Sequence, residues 1–200
     1  MRNFLIAGAL STLIAALPAT AQQTAPNAAP NAAQAAAAAL PQSRADAQPN
    51  QTYEIATHGD WSLRCIRLEQ VAFDPCEIQQ TLLNPEGNPT ADFSLFPVDN
   101  PELTAGATVI TPLETLLTRR VSFSADGGEA VTYPFQFCNR QGCIAQLGLN
   151  EAEIARMRSG SNGEIAIYPM VAPDNRISLT VSLSGFTAAY NELMALPRPQ

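Results

Sequence analysis

The chain has 200 residues, 11 basic side chains that are all arginine, 18 acidic ones, four cysteines and a single histidine, for a formal net charge of −7. An acidic surface repels nucleic-acid phosphates and anionic head groups, so nucleic acid is excluded as a partner unless a local basic cluster exists. With no lysine and only His58, a Ser-x-x-Lys centre is impossible and a histidine triad has a single residue to draw on.

Residues 1–21 read as a signal peptide. Arg2 supplies the positive start, Phe4 to Leu17 is an apolar run too short to span a bilayer, and Ala19-Thr20-Ala21 offers small residues for cleavage before Gln22. The expectation is a periplasmic or secreted protein with no transmembrane segment in the mature chain. An uncleaved anchor is the alternative. Residues 22–51 read as a disordered tether rich in Ala, Pro, Gln and Asn, because too few large apolar side chains are present to offset the entropy of ordering. Residues 52–196 are expected to form a single disulfide-bonded, β-rich domain, long enough to bury an apolar core.

Strand signals dominate that domain. Trp61, Leu63 and Cys65 alternate with polar neighbours, as do Cys76, Ile78, Gln80 and Leu82, which is the period of a half-buried strand. Further strands are expected at Phe93 to Val98, Thr108 to Ile110, Val121 to Ala125, Val131 to Cys138, Cys143 to Leu147, Glu164 to Met170 and Ile177 to Leu183. Phe135 and Phe137 are expected to line one sheet face. Turn signals separate these runs: Asn84-Pro85-Glu86-Gly87, Asp126-Gly127-Gly128 and Pro173-Asp174-Asn175. Many short strands punctuated in this way predict an all-β fold, a sandwich or a barrel-like domain. Two short helices interrupt it. Asn150 caps the first, with Glu153 reaching back and Gly160 ending it. The second runs from about Thr187 to Met194, packing through Ala188, Ala189, Leu193 and Met194.

The cysteines lie downstream of the export segment, where thiols persist as disulfides. Cys138 and Cys143 flank a Gly-containing turn, and Cys65 and Cys76 bracket the turn between the first two alternating runs, so local pairing is the simplest of three connectivities. A long Cys65 to Cys143 link remains the competing framework. Metal binding lacks its ligand set: no Cys-x-x-Cys occurs, and His58 is not near any cysteine in sequence. No metal and no cofactor are expected.

Catalytic patterns are weak. The carboxylate pairs Asp99 with Glu102 and Glu151 with Glu153 are the candidates for acid chemistry, yet one sits in a Pro-containing turn and the other in a helix's first turn, where acids are stabilising. Arg119-Arg120, and Arg156 with Arg158, are the only basic pairs to consider as anion contacts; isolated pairs are ordinarily solvated or ion-paired. Trp61 reads first as a core residue beside a disulfide. Trp61, Arg119 and Arg120 are the candidate ligand or partner contacts, and no residue is assigned a catalytic role.

The order Gly59-Asp60-Trp61, Cys65, Cys76, Thr111-Pro112-Leu113, Cys138 to Gly142-Cys143, and Ser182-Leu183-Ser184-Gly185-Phe186 with Ala188 and Ala189 resembles the invasion-associated locus B family of proteobacteria. The likeness spans about residues 54 to 193. It departs from the family pattern at Glu114, where Gly commonly follows Pro-Leu, and at Arg120, near a second usual Gly. The resemblance implies a secreted or periplasmic β-rich domain without known catalysis, whose relatives in animal pathogens are linked to invasion of host cells. It implies a cell-envelope binding or accessory module with an envelope or host protein as partner; a periplasmic enzyme using acidic residues is the alternative.

Overall fold

The computed structural model describes residues 39–198. The expected signal peptide and the tether through residue 38 lie outside the described residues. Eleven strands appear among the described residues: β1 (Thr52–His58), β2 (Trp61–Ile66), β3 (Cys76–Leu83), β4 (Pro89–Phe96), β5 (Ala105–Thr111), β6 (Val121–Ala125), β7 (Val131–Tyr133), β8 (Phe135–Asn139), β9 (Gly142–Leu149), β10 (Asn162–Ile167) and β11 (Ile177–Ser182). Two helices join them, α1 (Glu151–Ser159) and α2 (Phe186–Ala195).

The strands form two antiparallel sheets, one of seven in the order β1-β2-β3-β4-β5-β9-β8 and one of four in the order β11-β10-β6-β7. Each sheet has two free edges, so the architecture is an open two-sheet fold and not a closed barrel. The period-two pattern sets the inward faces. Trp61 and Leu63 on β2, Ile78 and Leu82 on β3, and Ala91, Phe93 and Leu95 on β4 turn toward the core, where they meet Val121, Phe123, Ile165, Leu179 and Val181 of the smaller sheet, while Cys65 packs in a separate small cluster with Ala47 and Tyr53. An aromatic series runs through this core. The Trp61 ring meets Phe93 edge-on at 6.0 Å and Phe186 of α2 at 5.3 Å, and Phe93 meets Phe123 at 5.4 Å. Such pairs each add about 1 kcal/mol beyond the area they bury.

Pro134 divides the expected Val131–Cys138 strand. It has no N–H to give a ladder, so pairing stops there, β7 stays with the smaller sheet and β8 joins the larger one. The register then slips between Phe135 and Phe137, and Phe137 is left 53% exposed on the sheet edge instead of lining a face with Phe135. Helix α1 begins as its sequence dictates: Asn150 Oδ1 accepts the Glu153 N–H, and the Glu153 carboxylate accepts the Asn150 N–H at 2.8 Å. Helix α2 starts one residue earlier than the expected span, and it packs through Phe186, Ala189, Tyr190 and Leu193, with Ala188 facing solvent.

The residues that carry the family resemblance meet in space as two pairs. The Gly59-Asp60-Trp61 turn lies backbone against backbone with Ser182 to Phe186. Gly59 has φ +56° and Gly185 has φ +82°; a Cβ on Gly185 would sit 2.0 Å from the His58 carbonyl oxygen. The Asp60 N–H donates to the Ser184 carbonyl, Ser182 Oγ to the Asp60 carboxylate at 2.6 Å, and Trp61 Nε1 to the Ser182 carbonyl at 2.9 Å. Gln80, buried beside them, donates to the Asp60 and Ser182 carbonyls and accepts the Ser182 N–H at 2.8 Å. In the second pair, Gly142 approaches Thr111 so closely that a Cβ would lie 2.2 Å from the Thr111 carbonyl oxygen, and Thr111 is the register partner of Cys143.

Residues 39–51 are not free tether. Ala47 is buried, the Asn50 N–H donates to the Arg67 carbonyl at 2.7 Å, and the Arg67 N–H donates to Gln51 at 3.0 Å. The folded unit therefore begins before Thr52. The strong polarity of this segment hid that, because its anchoring is mostly by hydrogen bonds, with Ala47 its one fully buried apolar side chain, packed with Tyr53 and Cys65.

Candidate functional site

A pocket of about 650 Å³ opens at the end of the larger sheet where β2 stops, β3 starts and β4 ends. Its apolar lining comes from Ile66, Phe96, Val98, Leu193 and Leu196, and its charged lining from buried Asp74, half-buried Arg64 and Glu77, and exposed Asp99 and Arg198. Four segments distant in sequence build it, and the Cys65–Cys76 disulfide holds two of them together. Cys65 and Cys76 stand directly opposite in the β2–β3 register, as Cys138 and Cys143 do in β8–β9, and each pair is bonded. No free cysteine occurs among the described residues.

Asp74 organises one side of the pocket. Its side chain is 2% exposed and accepts from Arg44 Nε at 2.7 Å, the Tyr53 hydroxyl at 2.9 Å and the Leu68 N–H at 3.0 Å. Burial alone would push the carboxyl pKa up, but those three donors outweigh it and hold the group below the ordinary 3.8. Burial together with the Asp74 carboxylate pushes the Tyr53 hydroxyl up to about 12. At neutral pH Asp74 is thus an acceptor only, the opposite of the raised value a general acid needs. Across the pocket, Arg64 donates through two nitrogens to Glu77 Oε1 at 2.7 and 2.8 Å.

The expected contact residues do not converge on this pocket. Trp61 is fully buried, so its reading as a ligand contact is corrected: its ring is core and its N–H is spent on Ser182. Arg119 lies over the Tyr168 ring at 5.2 Å and pairs with Asp174 at 3.0 Å. Arg120, exposed beside it, has φ +56°. Arg119 ends a short 3-10 helix (Leu117–Arg119) just before β6, Arg120 follows it, and neither lines the pocket. Arg158 stacks over Tyr190 at 5.0 Å. His58 bonds Glu192 at 2.6 Å, tying β1 to α2. Of the acid pairs, Glu151 and Glu153 serve the start of α1, whereas Asp99 lines the pocket and Glu102 does not. Among the described residues no cluster of three His, Cys, Asp or Glu side chains is placed to hold a metal ion, and no helix is long and apolar enough to cross a membrane. Ile66, Phe96, Val98 and Leu196 were not among the expected contacts: Ile66 and Phe96 end β2 and β4, Val98 and Leu196 follow β4 and α2, and no motif marks them as a group.

A family model described as "Invasion associated locus B (IalB) protein" matches residues 61–194. Two invasion protein B homologs of Brucella abortus, from strains 2308 and 9-941, are each 26% identical over 90 residues, covering 45% of this chain and 51% of the relative. The chain thus spans about half the length of these relatives. The crystal structure of invasion associated protein B from Bartonella henselae superposes with a TM-score of 0.57 at 24% identity, over 70% of this chain and 95% of that one, and shares the fold.

Proposed function

Because this chain belongs to the invasion associated locus B family, we propose that it is an exported, non-catalytic binding module of the cell envelope that contributes to host-cell interaction, with the pocket at the β2–β3–β4 end as its binding site. The observation that carries this reading is the state of the pocket's polar groups. Arg64 is committed to Glu77, and Asp74 is held ionised by three donors. Such a wall can hold a ligand by shape and apolar contact, but Asp74 cannot hand a proton to one near neutral pH. The names of the Brucella and Bartonella relatives support the link to invasion, and the two disulfides suit an oxidising compartment. The test is a crosslinking pull-down from the native envelope with the wild-type protein and the pocket variant Val98→Trp. A partner captured by the first and lost with the second supports the reading. Recovery of the protein only in the cytoplasm, or the same capture by both, overturns it.

A further inference from the structure

We infer that the pocket receives a single aliphatic chain of an amphiphile, whose head stays at the mouth. At about 650 Å³ it falls in the roughly 300–1,000 Å³ range of small-molecule sites. The choice among ligand classes follows from hydrogen-bond supply. Peptides and sugars need a partner for each polar group they bury, about one bond per 100–200 Å² of contact. Here Arg64, Glu77 and Asp74 are already paired, and the Ile66 N–H is spent on the Pro75 carbonyl. Among the described residues no buried side-chain nitrogen or oxygen waits for a partner. A run of methylenes asks for none, and Ile66, left 40% exposed, gains most from being covered by one. At the mouth, Arg198 and Asp99 form no ion pair among the described residues, so one charge of each sign is available to a head group. The apolar wall is also built to stay put. Gly106 faces it from β5, and a Cβ there would lie 2.5 Å from the Phe96 ring and 2.7 Å from Val98, so the absence of a side chain lets both seat on the sheet.

The inference rests on the proposed use of this pocket. It is tested on the exported protein with cis-parinaric acid as the fluorescent probe, displaced in turn by octanoate, decanoate and dodecanoate. Affinity is expected to rise about tenfold for each two methylenes added until the pocket is full. Ile66→Asp, on the pocket surface, weakens decanoate binding at least about tenfold by placing a charge against the chain, while Val171→Asp, 80% exposed and outside the pocket, changes nothing. Dodecyltrimethylammonium competes comparably with dodecanoate. Absence of displacement, affinity independent of chain length, or equal loss in the Val171 variant overturns the inference, and competition by only one head-group sign overturns the placement of the head. Chain-length-dependent binding with no pocket-dependent partner in the envelope pull-down removes the proposed role and leaves the ligand class standing; the reverse result removes only the ligand class.

Discussion

Gly185→Ala probes the junction between the two ends of the domain. At φ +82°, alanine is strained by about 1–2 kcal/mol relative to glycine. The added methyl would also stand 2.0 Å from the His58 carbonyl oxygen, more than an ångström inside ordinary contact, and its nearest neighbours, His58 O and C and Gly59 N, are backbone atoms that cannot rotate away. The two turns must part, which stretches the Asp60 N–H bond to Ser184 and the Trp61 Nε1 bond to Ser182, each worth about 1 kcal/mol. The expected loss is about 3–4 kcal/mol. Gly87→Ala is the matched control: its φ is +83°, but nothing lies within 4 Å of the added carbon, so it should lose only the backbone strain, about 1–2 kcal/mol. Equilibrium urea unfolding with both disulfides intact measures the two, read from the emission of Trp61, the sole and fully buried tryptophan. Equal losses in the two variants would refute the close approach as the reason for glycine at 185.

Four further outcomes are expected. Asp74 is depressed below 3.8, so its contribution to stability is fully present above about pH 4 and is lost as pH falls through the lower folded-state value; Asp74→Asn should flatten that acid limb in pH-dependent unfolding and lower neutral-pH stability by about 2 kcal/mol. Removing the second bridge with Cys138→Ser, which leaves Cys143 as a lone thiol, should lower stability by about 2 kcal/mol and leave Cys65–Cys76 bonded, as non-reducing peptide mapping would report. Arg120→Gly relieves a positive φ on an exposed residue and should raise the unfolding midpoint, by about 1 kcal/mol in stability. Trp61→Ala should cost about 3–5 kcal/mol, measured by circular dichroism, because it empties the centre of the aromatic series.

Much of the fold is written in local pattern. β2, β3 and β6 follow from alternation alone, α1 from its capping box, and both disulfides from cysteines flanking turns. β1 escaped because its register slips between Glu54 and Ala56, which breaks the period-two signal. Of the packing face expected for α2, Ala189 and Leu193 are buried and Met194 packs partly against the core, whereas Ala188 is exposed and Phe186 and Tyr190 supply the aromatic part of the face. The pocket was not legible at all. Its wall is assembled from the ends of β2, β4 and α2, and no spacing in one dimension reports that Phe96, Ile66 and Leu196 share a cavity. The resemblance motifs, in contrast, could be found as a set, but only the structure shows that they hold the framework together, with Cys76 alone among them reaching the pocket lining.

The junction between Gly59-Asp60-Trp61 and Ser182-Leu183-Ser184-Gly185 also sets the order of events for a newly made chain. The Trp61 N–H must find a carbonyl 121 residues later, and the Phe186 ring closes over the same indole. A chain emerging from its amino end can pair β1 to β5 as neighbours, since those ladders are sequential in the sheet. It cannot bury Trp61, satisfy Gln80 or seat α2 until the final segment has arrived. The amino-terminal half is therefore held short of its native core until the carboxy-terminal segment has been made.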